Sequence, residues 1–197
     1  MRGKLLMRGK MLVKSASIVL ILFITACSSA PVETQYYLLR QEKTPQTRAL
    51  VASPDFALGN VEIATYIDQP GMMLEVGPGQ IHPALHHQWA EPMRQGVRFF
   101  LQREISTALG KDLFPKALSE AETIVEVRID QLHGTSDGKA VILAYWWLKK
   151  DGQVKSPHQF GETSPLARDG YEALAQAERA LLKGLAANIA KTLKASS

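Results

Sequence analysis

Two hydrophobic periodicities divide this chain. Asn60–Ile67 alternates Val61, Ile63, Thr65 and Ile67 against Glu62, Ala64 and Tyr66, and Thr123–Leu132 alternates Val125, Val127 and Ile129 against Glu126, Arg128 and Asp130. A period of two with β-branched residues on one side describes a strand with one face on a core. Ala140–Lys149 is apolar on both sides, which predicts a central strand, and Asp151-Gly152 after it is a hairpin turn leading into a last strand, Val154–Phe160. Pro157 assigns that strand to an edge, because proline cannot donate to a ladder. Tyr36–Arg40 reads as a first strand, 41–55 as a polar loop, and Met72–Val76 as the hairpin partner of Asn60–Ile67 across the turn Asp68–Gly71. Gln80–Leu85 reads as a short further strand.

The period then changes. Trp89, Met93, Val97, Phe100, Leu101, Ile105 and Leu109 recur at steps of three and four, as do Leu174, Ala177, Leu181, Leu185, Ile189 and Leu193. Both patterns predict amphipathic helices, the first closed by Gly110. Strands, helix, strands, helix gives an α/β fold: a two-layer α+β sandwich, with a largely antiparallel mixed sheet and two long helices packed on one of its faces.

The beginning of the chain obeys neither period. Residues 1–14 are basic without an acid, 18–24 are an unbroken apolar run, and small residues follow. This is the layout of a secretory signal, and the run falls short of the roughly 20 apolar residues of a bilayer span. Ile24-Thr25-Ala26-Cys27 resembles a bacterial lipobox, which places cleavage between Ala26 and Cys27 and puts N-acyl and S-diacylglycerol chains, palmitate among them, on Cys27. Residues 1–26 are then the signal peptide, 27–35 a lipidated tether, and 36–197 a single domain. Met1, Met7 and Met11 are all possible starts. Ser28 after the cysteine, where an aspartate would retain the protein in the inner membrane, favours the outer membrane.

Charge and chemistry narrow the function. The formal net charge of +4 comes from the leader, whose removal leaves 18 basic against 19 acidic side chains, with no basic run to hold nucleic acid. The single cysteine excludes an intrachain disulfide. There is no Gly-x-Ser-x-Gly elbow and no phosphate loop, so no catalytic residue is assigned and an enzyme is not expected. His82, His86 and His87 read as a polar loop before the helix rather than a metal site, and no cofactor is expected. Trp146 and Trp147 must point to opposite faces of their strand, one into the core and the other toward a helix or an interface. Met72 and Met73 are candidate adaptable contacts for a lipid or a partner, with core filling by one of them as the alternative. Asp68 and Pro70 read as turn residues.

Several segments together resemble the ABC-type transport auxiliary lipoproteins, the PqiC family. They are Tyr36–Leu39 soon after the cysteine, Val61–Gly71, the helix opening Trp89-Ala-Glu-Pro-Met, Val127–Leu132 followed by Gly138–Leu148, and a terminal helix behind Asp169-Gly-Tyr171. Ala64-Thr65 departs from the family's Leu-Pro or Val-Pro. The resemblance implies a non-enzymatic outer-membrane accessory on the periplasmic face. It implies partners too: an MCE-domain protein and inner-membrane transporter subunits of an intermembrane lipid transport system, with the lipoprotein docking that system as a homo-oligomeric ring. A free-standing periplasmic lipid- or ligand-binding lipoprotein is the alternative.

Overall fold

The computed structural model describes residues 31–39 and 49–196. Residues 1–26, read as a signal peptide, together with Cys27, Arg40 and most of the 41–55 loop, lie outside the described residues. Residues 31–33 group with the leading segment, and the fold below is that of the unit beginning at Thr34.

Seven strands form one mixed sheet beside two long helices. The strands are β1 (Gln35–Tyr37), β2 (Phe56–Ile63), β3 (Gly71–Gly77), β4 (Gln80–Trp89), β5 (Thr123–Thr135), β6 (Lys139–Lys150) and β7 (Gln153–Pro165). The helices are α1 (Met93–Leu109) and α2 (Tyr171–Ala195). The sheet runs β1-β4-β3-β5-β6-β7, and β2 also pairs with β5. The ladders β3–β4, β5–β6 and β6–β7 are antiparallel, whereas β1–β4, β2–β5 and β3–β5 are parallel.

The doubly apolar stretch is the central β6, and β7 is an edge strand, as the pattern predicts. Beside Pro157 the β6–β7 register slips between Trp146 and Leu148, and Ser156 takes a φ of 47°. An edge accommodates such a bulge because no further ladder has to follow it.

Two expectations need correction. The hairpin does not join 60–67 to 72–76. β2 ends at Ile63, four residues early, and leaves to pair in parallel with β5, while the true hairpin is β3–β4 around Pro78-Gly79. Alternation identifies a strand but carries no information about its partner, and β2 finds its own some 65 residues downstream. The first helix begins at Met93 rather than Trp89, which is the buried last residue of β4. Pro92 explains the boundary: it drives the preceding residue toward extended backbone, so the helix cannot begin upstream of it.

The core lies between the helices and one sheet face. Val125, Val127 and Ile129 of β5 and Ala140, Ile142, Ala144, Trp146 and Leu148 of β6 are buried there. Leu174, Ala177, Leu181, Leu185, Ile189 and Leu193 of α2 close over them, as the helical spacing predicts. Gly134 sets how closely α2 can approach: a Cβ there would lie 2.9 Å from both terminal methyls of Leu174.

Candidate docking surfaces

The sequence candidates distribute themselves across both faces of the sheet. Met72 and Met73 are 0% and 5% exposed, which corrects the expectation of an adaptable surface contact. They begin β3, an inner strand between β4 and β5, and both side chains are buried. Trp146 is core, its ring stacked on His158 at 4.9 Å. Trp147 is half-buried on the opposite face and donates its Nε1–H to Glu126 Oε2 at 2.9 Å. The Lys149 ammonium reaches the same carboxylate at 3.3 Å. On that face the Arg128 guanidinium lies 5.1 Å over the Tyr145 ring, and Val141 and Leu143 extend the strip. The result is a half-buried apolar band with paired charges beside it. Such a surface can pack against another protein.

The three histidines lie on β4 and not in a loop. His82 and His86 are exposed. The His87 ring stacks on Tyr171 at 4.2 Å, and its Nδ1 lies 3.0 Å from the Tyr37 hydroxyl. This aromatic group joins β1 and β4 to the start of α2. Among the described residues no group of three or more His, Cys, Asp or Glu side chains is placed to hold a metal ion. An apolar cleft of about 720 Å³ runs along the outer side of α1, with Leu50, Val51, Phe99 and Leu118 in its walls and Lys111 on it.

Three functional groups escape a reading by periodicity. Tyr66, in the turn after β2, sits where β5 changes neighbour from β2 to β3. Its hydroxyl receives the Leu132 N–H at 3.4 Å and lies 3.0 Å from His133 Nδ1, while His133 Nε2 is 3.7 Å from Glu75. Burial holds the imidazole below its ordinary pKa, against the pull of Glu75. Burial also raises the Tyr66 phenol. Glu178 sits inside the apolar face of α2 at 2% exposure, and desolvation pushes its carboxyl up to about 8. Asp68 does more than turn the chain: its carboxylate accepts the Arg94 N–H at 3.1 Å and pairs with the Arg94 guanidinium, capping α1 from 26 residues away. Only Glu178 leaves a local signal, as an acid in step with Leu174, Leu181 and Leu185. The other two depend on contacts between distant segments.

Among the described residues no helix is long and apolar enough to cross a membrane. The chain is 25% identical over 176 residues to the intermembrane transport lipoprotein PqiC of Escherichia coli K12, covering 88% of this chain and 93% of that protein. The likeness to PqiC of Shigella flexneri has the same extent. Two crystal structures share the fold. One, of an uncharacterized protein, has a TM-score of 0.71 at 23% identity and covers 82% of this chain and 99% of its own. The other, of a Xanthomonas campestris protein, has a TM-score of 0.63 at 16% identity and covers 83% and 100%. The family model for the ABC-type transport auxiliary lipoprotein component matches residues 36–190. That match bears out the family resemblance, and this chain belongs to the family of ABC-type transport auxiliary lipoprotein components, a family of transport accessories and not of enzymes.

Proposed function

We propose that this protein is an outer-membrane lipoprotein that docks an MCE-type intermembrane lipid transport system at the periplasmic face of that membrane. In this reading residues 1–26 are removed, Cys27 carries the acyl chains, 27–35 tether the protein, and 36–197 form the docking domain. One observation carries the reading: likeness to an intermembrane transport lipoprotein over 93% of that protein's length, in a chain whose Cys27 follows a lipobox. Burying a methylene contributes about 0.8 kcal/mol, and two lipid signals suffice for a stable anchor, so a cysteine with three acyl chains does not leave the bilayer.

The domain would work without covalent chemistry. Copies assemble into a ring at the membrane, the ring receives an MCE-domain protein, and inner-membrane transporter subunits complete the path. The Tyr145–Trp147 band is a surface on which such contacts can form. Metabolic labelling with palmitate, followed by separation of the two membranes on a density gradient, tests the anchor. Label on the wild type in the outer-membrane fraction, absent from Cys27→Ala, is expected. An unlabelled protein, or one confined to the inner membrane, contradicts the proposal.

A further inference from the structure

The solvent side of α2 carries charge of one sign. Its acids are Glu172 in the first turn and Glu178, which is buried. Residues 179–195 then hold Arg179, Lys183, Lys191 and Lys194 and no acid. A cation in the last turn complements the helix dipole, which accounts for Lys194. That effect does not reach Arg179 and Lys183, which stand four residues apart in the middle of the helix, where like charges repel.

Both border a groove of about 520 Å³ between α1 and α2, together with Phe100, Arg103, Glu104 and Ala180. Two guanidinium groups are held there in advance of any ligand. The Arg103 guanidinium lies 5.7 Å over the ring of buried Phe100, and its Nε and Nη2 donate to Glu104 Oε1 at 3.3 and 3.2 Å. Arg179 donates from Nη1 to the Leu38 carbonyl at 2.9 Å, a single use of a side chain with five N–H donors. It is half-buried, and desolvation lowers its pKa against the partial compensation of Glu172. Glu172 itself pairs with Arg168, and among the described residues no carboxylate forms an ion pair with Arg179 or with exposed Lys183. Three cations thus border the groove against the one carboxylate of Glu104. A partly desolvated guanidinium without a counter-charge is a cost to the fold that a bound anion removes.

We propose that the groove between α1 and α2 binds a phosphate group through Arg103, Arg179 and Lys183. The tetrahedral oxygens of a phosphate can meet donors that converge from two helices, with the guanidinium groups offering paired N–H donors and Lys183 a point charge. Two sources share this chemistry, a phospholipid headgroup and free phosphate. Leu38, 49% exposed on the segment that holds Arg179, puts apolar surface beside the site, as a lipid would use. The site lies beyond the docking role and needs neither acylation nor a transport partner.

The full-length protein, extracted in a non-ionic detergent and washed until its phosphorus content is constant, is titrated calorimetrically with sodium phosphate and with soluble dihexanoyl phosphatidylglycerol. Saturable binding of one equivalent is expected, roughly tenfold weaker in Arg179→Gln and in Lys183→Gln and unchanged in Lys191→Gln, which lies outside the groove. Lys183 is exposed, so its variant keeps the fold if Arg179→Gln does not. One phosphorus per chain that resists washing in the wild type and Lys191→Gln, but not in Lys183→Gln, is the same result reached with a ligand already in place. Binding of the lipid alone assigns the headgroup, and binding of both probes assigns the phosphate itself. No saturable binding and no retained phosphorus overturns the proposal. So does binding that Lys183→Gln and Lys191→Gln weaken equally, which is the mark of diffuse surface charge. Capture of transport partners reads a different property, so the docking role and this site stand or fall separately.

Discussion

Tyr66, His133 and Glu178 carry the chemistry of single residues in this fold. Tyr66→Phe strips the Leu132 N–H and His133 Nδ1 of their shared partner. Unsatisfied buried groups cost roughly 1–3 kcal/mol, and the urea midpoint should fall accordingly. His133 has a depressed pKa, so its contribution is complete above the ordinary imidazole value of 6.5 and is lost as pH falls through the lowered folded value. Glu178 acts with the opposite sign. Its folded pKa is raised from 4.5 to about 8, so the stability it allows is full below pH 4.5 and declines as pH rises toward 8, because the unfolded carboxyl releases its proton first. Glu178→Gln removes that slope. The variant should be more stable than the wild type by an amount that grows with pH across this window and then levels off. Urea titrations at a series of pH values measure this, and a constant difference would contradict the assignment.

At the scale of elements, the legible parts are those whose burial is fixed locally. β6 is buried on the face that α2 covers and half-buried on the other, and that requirement is written into consecutive residues. The stripe of α2 is legible for the same reason. The partner of β2, the start of α1 and the identity of the true hairpin are not, because each is decided by segments far apart in sequence. Met72 and Met73 illustrate the consequence. Assigned to the wrong hairpin they look like exposed contacts, and placed in an inner strand they are core. Asp68 is another case, a cap that no window around α1 contains. Asp68→Ala should cost about 1 kcal/mol. Tm should then fall by about 3 °C for a protein of this size. An unchanged Tm would mean that the first turn of α1 is held by other contacts.

For the whole molecule, the family resemblance reaches further than any site. Residues 36–190 match an accessory family. In the proposed reading such a molecule acts by position, held at one membrane and offering surfaces to partners. Affinity capture through a C-terminal tag from gently solubilised native membranes, with the partners identified by mass spectrometry, tests this most directly. The account predicts recovery of an MCE-domain protein with its inner-membrane transporter subunits, lost in Cys27→Ala. Recovery of the protein alone, under conditions that keep other envelope complexes intact, would contradict it and leave a free-standing binding lipoprotein.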